Sequence, residues 1–157
     1  NAIAKSSRKC KVPISSIVLD CYNYMVGVSK YLIKLAEKYE DEIYGDKALQ
    51  HEFINKRRRL FHQMSPHYPE CHDFDFDEIN YSSDFDNFLY KQVTYPKLAR
   101  LSSGLFFTPY ATTSLREYFA DGFENYVLYP DARKDLYMMC PHLYAKARKV
   151  VDGKNTF

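Results

Sequence analysis

Apolar residues along this chain recur every three or four positions, and that spacing predicts a mainly α-helical domain. The longest such pattern predicts a helix from Ser15 or Ser16 to about Glu40, whose first half is apolar on nearly every side and is expected to be buried. A second, basic helix is predicted from about Asp46 to Met64. Helices are therefore expected to form most of the core.

The helical pattern breaks down between residues 65 and 81. This segment, SPHYPECHDFDFDEINY, contains two prolines and alternates acidic with aromatic residues, which predicts a long loop. A short helix from about Ser83 to Gln92 and a weak helical turn at Lys97–Leu101 follow. The aromatic stretch GLFFTPY favours a small β element. The predicted fold class is thus mainly α, and α+β at most.

The clearest helix start in the chain is at Ser114. Ser114 and Glu117 have the spacing of a capping box, in which a serine side chain accepts a hydrogen bond from the backbone three residues later. An apolar stripe follows, made of Leu115, Tyr118, Phe119, Gly122, Phe123, Tyr126 and Val127. The acids Glu117, Asp121 and Glu124 share the opposite arc and are expected to face water.

The end of the chain predicts one more helix, from about Asp131 to Val150, broken or kinked near Pro141. The whole chain has 157 residues, of which 46% are hydrophobic and 27% charged, and these values are typical of one globular domain. We expect a tail or linker at residues 1–13, the domain at 14–151 and a second tail at 152–157.

Charge and aromatic content refine this picture. The net charge of +2 is too small to indicate a nucleic-acid partner, although Lys56, Arg57, Arg58 and Arg59 are consecutive and are expected to lie on a solvated helix face. Fifteen tyrosines and no tryptophan suit a wet protein interface as well as a core. No apolar run reaches the roughly 18 residues of a membrane span, so no membrane contact is predicted.

The cysteines form no C-x-x-C pair; they are Cys10, Cys21, Cys71 and Cys140. Reduced, buried thiols in a cytoplasm-like or virion setting are therefore expected. One candidate for a structural metal site is HQMSPHYPECH, which holds His62, His67, Cys71 and His72. Its spacings match no standard zinc pattern, and the competing interpretation is a set of loop residues with scattered polar contacts.

Residues 107–148 carry a more specific pattern. Tyr110 is followed seven residues later by Glu117, then by Tyr118-Phe119, Ala120-Asp121-Gly122-Phe123 and, further on, Pro141 with Tyr144. This block resembles the C-terminal part of the anthrax-lethal-factor-like zinc metallopeptidases, a zincin family of toxins and bacteriophage proteins. The resemblance implies a zincin-like helical domain, with Glu117 at the position of the third zinc ligand and Tyr110 at that of a tyrosine that stabilises the oxyanion.

The same family takes its other two ligands and its general base from H-E-x-x-H, which this chain lacks. Two segments could be degenerate remnants, or relics, of this motif. YMVGV places Tyr24 and Val28 at the histidine positions, whereas HEFIN keeps His51 and Glu52 but has Asn55 in place of the second histidine. We favour YMVGV, because a zincin active-site helix is buried and residues 15–28 have that composition.

YMVGV removes both histidine ligands and HEFIN removes one, so neither relic leaves the three protein ligands that a catalytic zinc needs. We therefore expect no catalytic residues and no bound metal. The predicted function is a non-catalytic, metallopeptidase-like domain that acts as a structural or partner-binding module, in a phage particle or a toxin assembly. The alternative is the C-terminal part of an active zinc metallopeptidase whose H-E-x-x-H precedes Asn1. A protein partner or a larger assembly is expected in the first case.

Overall fold

The computed structural model describes residues 40–155, and regular structure within that range is entirely helical. The α-helices are α1 (Glu40–Gly45), α2 (Lys47–Met64), α3 (Ser83–Asn87), α4 (Tyr95–Leu101), α5 (Leu115–Leu128), α6 (Arg133–Met139) and α7 (Pro141–Asn155). Short 3₁₀ helices span Pro69–Asp73, Pro109–Thr112 and Pro130–Ala132, and a π-helix spans Phe88–Val93. The mainly α fold class is confirmed.

Helix α2 begins where the sequence predicts. The side chain of Asp46 accepts a hydrogen bond from the backbone N–H of Leu49 at 3.1 Å, which satisfies one of the free donors of the first turn. The inward face of the helix carries Leu49, Phe53, Lys56, Arg57, Leu60 and Met64, all buried. The buried face of this amphipathic helix therefore includes two cationic residues, Lys56 and Arg57.

Helix α5 packs against α7. Its buried face consists of Leu115, Tyr118, Phe119, Gly122, Phe123 and Tyr126, as the apolar stripe predicts. A Cβ atom placed on Gly122 would lie 2.4 Å from Cγ and Cδ2 of Leu143 on α7. The two helices thus approach each other closely only because this position has no side chain.

The predicted loop at residues 65–81 is ordered by contacts with the core. It contains the 3₁₀ helix Pro69–Asp73 and buries Cys71 and Phe76. The carbonyl oxygen of Ile79 accepts a hydrogen bond of 2.9 Å from the backbone N–H of Leu115, one of the donors that the start of α5 leaves free. This segment therefore packs against the helix that the capping box begins.

Two other predictions differ from the structure. GLFFTPY, residues 104–110, forms no strand but turns and the start of a 3₁₀ helix, because Leu105 and Phe106 bond locally to the carbonyl of Ser102 and bury their side chains. The last helix breaks at Cys140, as predicted near Pro141, but α7 continues to Asn155 instead of ending at Val150. The predicted helix from residue 15 lies outside the described residues except at its end.

The connection between α3 and α4 has an unusual backbone. The π-helix Phe88–Val93 buries Phe88, Leu89 and Val93, and Thr94 follows it with a φ of 72°. A β-branched residue rarely adopts this left-handed conformation. None of the helices in residues 40–155 is both long and apolar enough to cross a membrane.

Candidate functional site

Tyr110 and Glu117, the two positions picked out by the family resemblance, lie at the entry to α5. Tyr110 belongs to the 3₁₀ helix Pro109–Thr112, which the Thr108 side chain caps by accepting the N–H of Ala111. The backbone N–H of Glu117 donates to the hydroxyl of Ser114 at 3.1 Å, so the predicted N-cap is confirmed. The Glu117 side chain is half-buried, and burial raises the pKa of its carboxyl group.

Three further tyrosines adjoin Tyr110. Asp86 connects two of them, because one carboxylate oxygen accepts the hydroxyl of Tyr81 at 2.6 Å and the other accepts that of Tyr95 at 2.7 Å. The ring of Tyr95 lies 5.4 Å from that of Tyr90 and 6.4 Å from that of Tyr110, centroid to centroid. We call Tyr81, Tyr90, Tyr95 and Tyr110 the tyrosine patch.

The tyrosine patch is both exposed and held in place. Tyr81, Tyr90 and Tyr110 are 51%, 61% and 40% exposed. The hydrogen bond to Asp86 raises the pKa of Tyr81 to about 12, so its hydroxyl remains a donor at neutral pH. The π-helix and Thr94 set the positions of Tyr90 and Tyr95, and strained or π-helical backbone is often found at functional sites.

The acids of α5 do not face water as the sequence predicts. Glu117, Asp121 and Glu124 are each half-buried. Burial raises the pKa of Asp121 to about 7, and the negative charge of Glu124 adds to this, whereas a hydrogen bond with Thr108 opposes it. Burial also raises the pKa of Glu124. The expectation of a solvated acidic face is wrong, because all three side chains are partly buried.

The relic HEFIN serves the fold. His51 and Asn55 are exposed, whereas Glu52 accepts the hydroxyl of Tyr118 at 2.6 Å and the backbone N–H groups of His142 and Leu143 at 2.7 and 3.1 Å. One turn further along α2, Nζ of Lys56 donates to the carbonyl of Met139 at 2.8 Å. Glu52 thus caps the start of α7 and Lys56 the end of α6.

The basic run at residues 56–59 does not form one solvated surface. Arg57 is buried; its guanidinium donates to the carbonyl of Glu78 at 3.0 Å and lies 4.6 Å from the ring centroid of Phe85. Burial lowers the pKa of Arg57 to about 10. Arg58 forms a bidentate pair with Asp77, both hydrogen bonds being 2.8 Å long. The expected solvated basic face is therefore wrong for its first two members, Lys56 and Arg57.

Cys71 and Cys140 are free thiols with fully buried side chains, which confirms that part of the prediction for these two cysteines. Burial raises the pKa of Cys71 to about 11 and also raises that of Cys140. A thiol acts as a nucleophile or metal ligand in its thiolate form, which this environment disfavours. Cys10 and Cys21 lie outside the described residues.

The histidine-containing segment does not converge on one point. The rings of His62 and His72 pack edge-on against Phe61 at 5.8 and 5.1 Å, and His67 is exposed. Across residues 40–155, no group of three or more histidine, cysteine, aspartate or glutamate side chains is placed to hold a metal ion. The candidate set His62, His67, Cys71 and His72 is therefore not brought together.

The favoured relic, Tyr24 and Val28, lies outside the described residues. No protein-family model, curated protein or solved structure matches the chain. Within residues 40–155, we take the tyrosine patch, with Asp86 and the nearby Glu117, as the candidate functional site. Sequence reasoning selected Tyr110 and Glu117 but missed Asp86, Tyr81, Tyr90 and Tyr95, and its one signal for them was the high tyrosine content.

Proposed function

We propose that this chain is a non-catalytic, zinc-metallopeptidase-like domain that acts as a partner-binding module, and that the tyrosine patch is its contact surface. The observation that carries the proposal is the group of three exposed tyrosines linked through Tyr95: Tyr90 and Tyr110 contact its ring, and Tyr81 shares Asp86 with its hydroxyl. Tyrosine is enriched in protein interfaces, because its ring supplies apolar area and its hydroxyl a hydrogen bond. A surface whose side chains are already ordered loses less entropy on binding.

The hydrogen bonds that Glu52 accepts support a non-catalytic role for the domain. A zinc peptidase needs a carboxylate that is free to take a proton from the metal-bound water. In this chain, the glutamate of HEFIN accepts three hydrogen bonds from α5 and α7. The family resemblance remains the reason to place the domain among metallopeptidase-like proteins, and a phage particle or toxin assembly is the setting proposed on that basis.

Metal content tests the first half of the proposal. The purified full-length product that contains this chain should hold far less than one equivalent of zinc, and Glu117→Ala should leave that content unchanged. One equivalent of tightly held zinc that is lost in Glu117→Ala would favour the alternative, in which the chain is part of an active peptidase that also uses residues before Asn1.

Selection from a random peptide library displayed on phage tests the second half. Peptides recovered on the wild-type chain should lose binding to a Tyr90→Ser/Tyr110→Ser variant and keep it on Tyr137→Ser. Tyr137, on α6, is a matched control because it is 56% exposed and lies outside the patch. Binders that treat the patch variant like the wild type would show that the contact surface lies elsewhere.

A further inference from the structure

We infer that the tyrosine patch receives an arginine or lysine side chain of the partner protein. This inference rests on the proposed function and adds the chemical class of the group bound. Its basis is the charge distribution around the patch: Asp86 lies between Tyr81 and Tyr95, and Glu117 lies close enough to Tyr110 and Tyr81 for its charge to raise the pKa of both hydroxyls.

Tyrosine ring faces add to the attraction for a cation. The face of an aromatic ring carries partial negative charge, and a guanidinium or ammonium group within about 6 Å of the centroid is attracted to it. The rings of Tyr90 and Tyr110 lie 5.4 and 6.4 Å from that of Tyr95, centroid to centroid, and both outer rings are exposed. A planar guanidinium can stack on such a ring while its N–H groups reach a carboxylate.

The described residues already contain this arrangement internally. The guanidinium of Arg133 lies 4.3 Å from the ring centroid of Tyr126 and donates to the carbonyl of Tyr126 at 2.7 Å. Arg57 combines a carbonyl acceptor with the face of Phe85 in the same way. At the tyrosine patch, by contrast, three of the four rings are exposed and the nearby acceptors are carboxylates.

An acidic partner would be disfavoured at this surface. Two carboxylates, Asp86 and Glu117, would repel it. The positive charge of Arg116, which lowers the pKa of Glu117, acts against this repulsion. Asp86, which is bonded directly to two tyrosines of the patch, is the group that favours a cation there.

The test uses the synthetic peptide acetyl-Gly-Arg-Gly-Arg-Gly-amide and its citrulline counterpart, which has nearly the same shape but no charge. Binding is followed by NMR through the ring signals of ¹³C-labelled tyrosine, assigned with single Tyr→Phe variants. The arginine peptide should shift the Tyr90 and Tyr110 signals saturably, and the citrulline peptide should bind about tenfold more weakly or worse. Added salt should weaken the arginine complex.

Charge variants make the test specific. Asp86→Asn and Glu117→Gln keep side-chain size and should each weaken the arginine peptide severalfold. Asp135→Asn, at an exposed carboxylate on α6, should leave its binding unchanged. Thermal unfolding of each variant verifies that it is folded.

Three outcomes would overturn the inference: equal binding of the two peptides, no shift of the Tyr90 and Tyr110 signals at millimolar arginine peptide, or shifts that persist in Tyr90→Ser/Tyr110→Ser. In each case the library selection decides separately whether the patch binds a partner at all. Patch-dependent library binders that lack arginine and lysine would leave the proposed function standing without its cationic partner.

Discussion

The carboxylate of Glu52, on α2, lies 2.7 Å from the backbone nitrogen of His142, in the first turn of α7. Helix starts carry partial positive charge and free N–H groups, so a carboxylate supplied by another helix stabilises them. Lys56 binds the carbonyl of Met139 at the negative end of α6. Two opposite charges one turn apart on α2 therefore hold both sides of the helix break at Cys140.

Replacing Glu52 should destabilise the fold. Glu52→Ala removes the acceptor of three hydrogen bonds and leaves the buried hydroxyl of Tyr118 without it, so we expect a loss of about 2–4 kcal/mol in the free energy of unfolding. Urea denaturation measures the loss. His51→Ala, at the exposed neighbour, should stay within about 0.5 kcal/mol of the wild type.

Tyr118 and Glu52 should be energetically coupled. Tyr118→Phe removes only the hydroxyl that donates to Glu52 at 2.6 Å. It should lower the free energy of unfolding by about 1–2 kcal/mol. In a double-mutant cycle with Glu52→Gln, an interaction energy of at least about 0.5 kcal/mol is expected. Strictly additive losses would mean that the bond contributes nothing beyond the two separate sites.

Gly122→Ala should strain the contact between α5 and α7. The added methyl group would overlap the Leu143 side chain at 2.4 Å. We therefore expect the free energy of unfolding to fall by about 1–3 kcal/mol, despite the better helix propensity of alanine. Truncation of the clashing side chain by Leu143→Ala should cost less in the Gly122→Ala background than in the wild type. Gly153→Ala is the control, because a Cβ at that helical position meets nothing within 4 Å.

Arg57→Ala should loosen the segment that follows α2. The substitution leaves the carbonyl of Glu78 without its guanidinium donor and removes the contact with Phe85. The free energy of unfolding is expected to fall by about 2–4 kcal/mol, and amide hydrogen exchange in residues 74–80 should become faster. Arg58→Ala breaks only an exposed ion pair and should leave both stability and exchange nearly unchanged.

Asp121 should make stability depend on pH. Its folded pKa of about 7 exceeds its ordinary 3.8, so the folded state binds more protons between these values, and stability should fall as pH rises from about 4 to 7. Asp121→Asn should flatten this dependence of stability on pH. The slope that remains in the variant should come from Glu117 and Glu124, whose pKa values are also raised. Asp131→Asn, at an exposed residue, should keep the wild-type slope. Denaturation at several pH values gives the comparison.

The amino-acid sequence alone determined where helices form and begin. The caps at Asp46 and Ser114, the buried stripe of α5 and the break near Pro141 all depend on residues within about one helical turn of each other. The family resemblance selected Tyr110 and Glu117, whereas the local signals wrongly predicted that the acids of α5 face water. Periodicity assigns a residue to a face without revealing what covers that face.

Tertiary structure decided which polar groups are buried and which surface groups meet. Lys56 and Glu52 find their partners 83 and 90 residues away, and Arg57 finds the Glu78 carbonyl 21 residues away. The tyrosine patch forms over shorter separations: Asp86 bonds to Tyr81 and Tyr95, which are 5 and 9 residues away, and the ring of Tyr95 contacts that of Tyr110. Such contacts depend on how helices pack, and the free energy of burying a charge depends on its distant partners.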